Sequence, residues 1–302
     1  MDKKPVVTLG MCMRNSEKLV GDAIRSINEQ DFPHDLIEVI FVDDGSEDRT
    51  LSIVNSWIPK TDIRMKVFSY SWRGIGKSRN TIFNNAKGDF IIWIDSDQVY
   101  PKKYVREQVE FMKKNPQVGI ATGVPWFLPT SSLVLSLEII TQYADYIDAA
   151  TKPRNWIKKT RKLPGTGGAI YRFDALKQVN GFDERLNIGE DIDAASRIVN
   201  AGWQIGWNLS KFYERHGGLS TIQQLWKRFF AKGYGCQTLY MKNKYYFSLT
   251  RISPLGSLIG GVVYAIEAYK ETHMKKSFLI PLHFTFKMLA WFTGFVKNQI
   301  NS

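Results

Sequence analysis

Asp89-Phe90-Ile91-Ile92-Trp93-Ile94-Asp95-Ser96-Asp97 is the stretch on which the reading of this 302-residue chain turns. Phe90 to Ile94 is a continuous apolar run with the length and β-propensity of a buried strand. Side chains alternate faces along a strand, so Asp95 and Asp97 point the same way where the run opens into a loop. Two carboxylates so placed are oxygen ligands for a hard divalent cation that also grips a diphosphate. That chemistry belongs to group transfer from an activated donor. An Asp-rich turn closing a core strand is the competing reading of the same residues.

Working outward, Val6 to Met11, Ile37 to Val42 and Met65 to Tyr70 read as three more buried strands. Ser16 to Gln30 reads as a helix capped by Ser16, with Leu19, Val20, Ala23, Ile24 and Ile27 as its apolar stripe and Asp31-Phe32-Pro33 as its end. A short helix runs from about Asp48 to Trp57, and another opens at Gly74 and runs through Ala86. The alternation predicts an α/β fold whose mainly parallel sheet is covered on both faces. Ligands of such sheets bind beyond the carboxyl ends of the strands, where Asp43, Asp44, Asp95 and Asp97 all fall. Further on, Pro101 to Asn115 reads as a helix and Val118 to Gly123 as a strand. Residues 131 to 162 read as helical, then basic and looser. Thr166 to Phe173 and Trp203 to Trp207 read as strands, Asp174 to Val179 and Glu190 to Ala201 as helices.

Hydrophobic residues make up 44% of the chain and aromatics 13%, enough to fill a sizeable core and exclude global disorder. The two cysteines, Cys12 and Cys236, form no short metal-binding or disulfide spacing, which fits a reducing compartment. Met1-Asp2-Lys3-Lys4-Pro5 lacks the apolar core of a signal peptide, so the catalytic part is expected in the cytoplasm. The formal charge of +12 favours anionic partners. Acidic residues concentrate at Asp43–Asp48, Asp89–Asp97 and Asp183–Asp193, basic ones at Lys152–Lys162 and from Lys211 onward. No basic stripe with interleaved aromatics or known motif marks a nucleic-acid binder, and acidic strand ends repel phosphate unless a metal intervenes.

The tail is different in kind. Ile252 to Ile266 is apolar but short of the roughly 20 residues a spanning helix needs. Ser277 to Val296 is long enough but carries His283 and Lys287. Lys270, Lys275 and Lys276 in the connector argue against a spanning hairpin by the positive-inside tendency. The expectation is a catalytic domain over 1–235 and a membrane-associating helical region over 236–302. Its helices would lie in the interface, apolar face down and lysines at the headgroups, on the cytoplasmic face of the membrane. A buried C-terminal helical pair is the alternative.

Four ordered blocks give the catalytic part a likeness: Val42-Asp43-Asp44-Gly45-Ser46; Gly76-Lys77-Ser78-Arg79-Asn80 ahead of Lys87-Gly88-Asp89; Asp95-Ser96-Asp97; and Gly181-Phe182-Asp183-Glu184 followed by Gly189-Glu190-Asp191-Ile192-Asp193 and Arg197. Together they resemble glycosyltransferase family 2, over roughly residues 5 to 235. The resemblance implies the GT-A nucleotide-sugar fold, a nucleoside-diphosphate sugar as donor, and Mg²⁺ or Mn²⁺. It implies that Asp43 and Asp44 hold the nucleoside, where an Asx-type turn is the alternative. Lys77 and Arg79, beside glycines at a helix N-terminus, suit the diphosphate, or Arg79 pairs with a carboxylate of the site. Asp97 matches the metal-contacting acid, and Asp95 contacts ribose or the ion. His216, after the last strand, is a further candidate ligand or an ordinary polar residue.

Glu190 and Asp191, the two candidate catalytic residues, open a helix, where acids are favourable through the dipole alone. The resemblance makes Asp191 the general base for an acceptor hydroxyl in a direct displacement with inversion. A phosphate acceptor needs no base, which argues against a polyprenyl-phosphate sugar synthase. Gln224-Leu225-Trp226-Lys227-Arg228-Phe229 departs from the Gln-x-x-Arg-Trp block of processive synthases, with Lys227 at the Arg position. Gly165-Thr166-Gly167-Gly168 leaves room for close approach of sugar or acceptor, or is a structural turn. The acceptor expected from the apolar, basic tail is a lipid-linked glycan. A non-catalytic nucleotide-sugar-binding module is the rival class.

Overall fold

The computed structural model describes residues 3–127, 130–141, 157–158, 163–215, 219–242 and 253–301. The chain divides into two compact units. One comprises Met1–Trp126, Pro153–Arg185 and Glu190–Arg215, the other Phe127–Lys152, Leu186–Gly189 and His216–Ser302.

The first unit is built on a nine-stranded sheet. Its strands are β1 (Val7–Met13), β2 (Ile37–Asp44), β3 (Arg64–Tyr70), β4 (Phe90–Asp95), β5 (Gln98–Val99), β6 (Val118–Phe127), β7 (Ile157–Lys158), β8 (Ala169–Arg172) and β9 (Gln204–Glu214). The order is β3-β2-β1-β4-β8-β6-β9-β5, with β7 against β9. The first four are parallel. From β8 onward every pairing described in register is antiparallel. The fold is therefore the expected α/β class, with a parallel half that follows from strand–helix alternation and an antiparallel half that does not.

Strand alternation sorts the core into two layers. Leu9, Met11, Val39, Phe41, Ile92 and Ile94 pack with α1 (Val20–Asn28), α2 (Thr50–Trp57) and α4 (Tyr104–Lys114). Ile40, Val42, Ile91, Trp93 and Tyr171 pack with α3 (Ile75–Asn85), α6 (Phe173–Gln178) and α7 (Glu190–Asn200). The run Phe90–Ile94 feeds both layers, which is why it is apolar throughout rather than alternating.

Three boundaries differ from the sequence reading. Ser16 does not cap α1: the helix begins at Val20 behind Leu19, which makes no side-chain cap bond. The Ser16 carbonyl instead accepts the Leu19 and Val20 N–H groups in a preceding turn. The strand expected from Thr166 starts only at Ala169, because Gly168 has φ +68°, which a strand cannot continue through. The last strand runs seven residues past Trp207, to Glu214.

In the second unit, residues 133–141 are helical (α5), followed by α8 (Ile222–Gly235), α9 (Gln237–Lys242), a penultimate helix Pro254–Thr272 and a last helix Ile280–Asn301. The rest of the segment expected to be helical and then basic, 142–156 and 159–162, lies outside the described residues. Thr221 caps α8 by accepting the Gln224 N–H, while the Gln224 side chain accepts the Thr221 N–H in return. Gln224 is thus a capping-box residue. Trp226 packs edge-on against Phe286 at 5.4 Å, so this block serves the helical packing. Lys287 and His283 are buried and both reach the Glu138 carboxylate, at 2.7 and 3.0 Å.

The candidate active site

All described site residues lie in the first unit, at the carboxyl ends of its parallel strands. Asp43 and Asp44, at the end of β2, are 2% and 6% exposed. Asp44 accepts the N–H groups of Arg73 and Gly74, each at 3.0 Å. Asp43 accepts the Ser46 N–H at 3.3 Å, together with the hydroxyls of Ser46 and Ser69. The pair knits the loops after β2 and β3 to the sheet rim.

The second block is taken up within the protein more than its glycines suggest. Lys77 is exposed in the first turn of α3. Arg79 is buried, and its guanidinium donates to Glu190 and to the Thr166 hydroxyl. Its third contact is the ring of Phe182, 5.6 Å away. Arg79 therefore takes the carboxylate-pairing alternative, and Glu190 is its partner. The next residue, Asn80, brackets Phe182 by accepting its N–H and donating to its carbonyl, both at 2.9 Å. Arg197, paired with Asp193 at 2.8 Å, donates to the Gly181 carbonyl at 2.8 Å. Blocks that stand about 100 residues apart in sequence are one hydrogen-bonded assembly.

Asp95 and Asp97 occupy the β4–β5 turn, both partly buried. Burial, then the charge of Asp97, push the Asp95 carboxyl up to about 7, with Arg79 opposing and Glu214 and Asp191 adding to the rise. Negative charge is thus concentrated here beyond what one arginine offsets. Glu214 was not legible in the sequence. The β5–β9 pairing sets Glu214 opposite Gln98, whose amide donates to it at 3.3 Å while its oxygen accepts the Asp95 N–H at 3.3 Å. The only advance signal was a glutamate just past the last apolar strand residues, too common a feature to single out.

Asp191 lies in the first turn of α7, partly buried. One oxygen accepts the N–H of Ile192 at 2.8 Å, the other that of Thr166 at 3.4 Å. The segment Gly165–Gly167 passes between the two acidic groups. A Cβ on Gly165 would stand 3.1 Å from Asp191 Oδ2, and one on Gly167 would stand 2.8 Å from Asp95 Oδ2. Only glycine leaves this space open beside both carboxylates.

A divalent cation fits this cradle on two grounds: the crowding of the Asp97, Glu214 and Asp191 carboxylates around Asp95 and the room that Gly167 preserves next to Asp95. Among the described residues no three His, Cys, Asp or Glu side chains converge as a complete metal shell. A two-carboxylate site completed by diphosphate oxygens and water is the arrangement Mg²⁺ commonly uses. His216 lies outside the described residues.

Comparison with known proteins bears on the family and the fold. The sequence model of Glycosyl transferase family 2 matches residues 8–179. The chain belongs to glycosyltransferase family 2. Over 101 residues, a third of this chain and 18% of the relative, it is 34% identical to poly(ribitol-phosphate) beta-N-acetylglucosaminyltransferase TarS of Staphylococcus aureus. It is 24% identical to the probable glycosyltransferase YdaM of Bacillus subtilis, over 98% of this chain and 72% of that protein. Among solved structures, a mannosyltransferase from Pyrobaculum calidifontis, in complex with GDP-Man and Mn²⁺, superposes with TM-score 0.67 at 18% identity. That match covers 99% of this chain and 88% of the other. Residues 1–349 of TarS with UDP-GlcNAc superpose with TM-score 0.53 at 17% identity, covering 98% and 92%. The GT-A fold and membership of a glycosyltransferase family stand together on these likenesses.

Proposed function

We propose that this glycosyltransferase moves a sugar from a nucleoside-diphosphate sugar to an acceptor hydroxyl, with inversion at the anomeric carbon. The observation that carries the reading is the placement of Asp95, with its neighbour Asp97, and Asp191 on the two sides of the Gly165–Gly167 strap. The loops that Asp43 and Asp44 secure shape the nucleoside end. Lys77, exposed at the N-terminus of α3, faces the diphosphate, where the helix end adds partial positive charge. Asp97 and Asp95 would hold Mg²⁺ or Mn²⁺, which supplies positive charge that offsets the charge growing on the departing diphosphate.

Asp191 takes the proton of the acceptor hydroxyl as that oxygen bonds to the anomeric carbon. The bond from that carbon to the diphosphate oxygen breaks, and its electron pair leaves with the nucleoside diphosphate. Glu190, committed to Arg79, holds the head of α7 and does not carry the proton. A phosphate acceptor is already anionic and has no use for this base, which sets aside a polyprenyl-phosphate sugar synthase.

A panel of nucleoside-diphosphate sugars with Mg²⁺ or Mn²⁺, read as slow release of nucleoside diphosphate, tests the function. One donor class should be hydrolysed, chelator should stop it, and Asp97→Asn should lower the rate at least about 100-fold, since metal charge stabilisation amounts to several kcal/mol. Donor binding with no turnover by any preparation would make the protein a binding module instead.

The acceptor we propose is a lipid-linked glycan, reached at the cytoplasmic face of a membrane. Support comes from the second unit. Leu255, Ile259, Val262 and Ile266 form one exposed apolar stripe on the penultimate helix, and Lys270, Lys275 and Lys276 are exposed at its end. The stretch Lys275–Ile300 is long and apolar enough to cross a membrane by length and composition, and a third of its most apolar 18 residues is buried. Lying in the interface would bury the apolar stripe and set the lysines at anionic headgroups, each contributing about 1 kcal/mol. In flotation with anionic phospholipid vesicles the protein should rise with the lipid, less so at high salt. Leu255→Glu with Ile259→Glu should weaken binding at least about tenfold, from the roughly 1.5–3 kcal/mol each apolar side chain provides. Retention after alkaline carbonate washing would replace the interfacial arrangement with a spanning one.

A further inference from the structure

The Arg79 guanidinium sits among three groups: the Glu190 carboxylate, the Thr166 hydroxyl and the Phe182 ring. All four residues are nine-tenths buried or more. Thr166 then looks the other way as well, because its backbone N–H donates to Asp191 Oδ2 at 3.4 Å. A chain of contacts thus runs Glu190–Arg79–Thr166–Asp191 and returns through the peptide bond that joins Asp191 to Glu190. Nothing in this ring needs a ligand to form. Its middle member is the residue between the two glycines that border the acidic groups.

We infer that Thr166, clamped by Arg79, is a positioning residue that aims the Asp191 carboxylate at the acceptor hydroxyl. This rests on the reading of Asp191 as the base. The physical argument is one of aim. Glycines on either side of Thr166 would leave its peptide N–H free to swing. The hydroxyl bond to a buried guanidinium, itself fixed by Glu190, anchors the strap by its one side chain. The N–H then holds one carboxylate oxygen while the Ile192 N–H holds the other. A misplacement of about 1 Å in such a group can cost about 100-fold in rate.

Thr166→Val keeps the shape and removes the hydroxyl; Thr166→Ser keeps the hydroxyl. With the full chain, the preferred donor and saturating acceptor, Thr166→Val should lower kcat about 10- to 100-fold. Donor affinity, read separately by equilibrium binding, should stay within about twofold, and the unfolding midpoint should stay close to the parent's. Thr166→Ser should restore kcat to within about threefold. Wild-type kcat in Thr166→Val overturns the inference, as does a parallel loss of kcat, donor affinity and thermal stability, which marks a merely structural residue. The arm with Asp191→Asn separates the two levels. If that change leaves transfer intact, the base reading itself falls. If it abolishes transfer while Thr166→Val behaves as wild type, only the positioning role falls.

Discussion

Asp191→Asn should lower glycosyl transfer by about 100- to 10,000-fold, the usual contribution of a positioned general base, and leave donor affinity in place. Asparagine fills the same space, and its single carbonyl oxygen can keep the shorter of the two bonds, from the Ile192 N–H at 2.8 Å, while its amide nitrogen gives up the one from the Thr166 N–H. It has no basic oxygen to receive a proton. In the proposed reading the donor's diphosphate end is served by Asp95, Asp97 and Lys77, none of which this change removes. The measurement is a pair: single-turnover transfer to a hydroxyl acceptor, and equilibrium binding of the donor nucleotide. Loss of both together would mean that the change disturbs the strap and not the proton transfer. An unaltered transfer rate would remove Asp191 from the chemistry.

The second large effect concerns stability and lies in the helical unit. Glu138→Ala should cost about 3–5 kcal/mol, because it leaves Lys287 buried without its carboxylate. Thermal or urea unfolding of the detergent-stabilised chain reads this directly. Replacing both partners, Glu138→Leu with Lys287→Met, should recover most of the loss, since a buried ion pair is often no better than an apolar pair of similar volume. A loss below about 1 kcal/mol in the single variant would show that water reaches the cluster.

The same cluster sets an acid limit. Burial pushes the Glu138 carboxyl up, but the His283 hydrogen bond and the Lys287 charge outweigh it and hold the group well below its ordinary 4.5. A carboxyl with a lowered folded value stabilises the fold above the unfolded value. That contribution is fully present at neutral pH and is shed as pH falls below about 4.5. The unfolding midpoint of the parent should drop more steeply over that acid range than that of the double variant.

Much of the catalytic architecture was legible from local pattern. The run Phe90–Ile94 became β4, and Asp95 and Asp97 stand at its rim. Strand–helix alternation gave the four parallel strands, because a parallel crossover requires a helix between its strands. The antiparallel half was not legible in the same way. Strand β8 was legible as a strand within Thr166–Phe173, but nothing in its four residues sets the direction of its pairing, and the part of β9 beyond Trp207 mixes polar with apolar residues and gives no clear end.

Sequence alone determined the fold class, the family and most of the candidate acids, Glu214 excepted, because strand periodicity and short motifs are local properties of the chain. Which acid is occupied and which is available was decided only by tertiary structure. Arg79 reads as a phosphate ligand until the fold brings Glu190 and Thr166 to its guanidinium. Lys287 reads as a charge stranded in an apolar helix until α5 delivers Glu138. A buried charge must find its counterpart, and that counterpart stands 111 residues away in one case and 149 in the other, beyond the reach of any local rule.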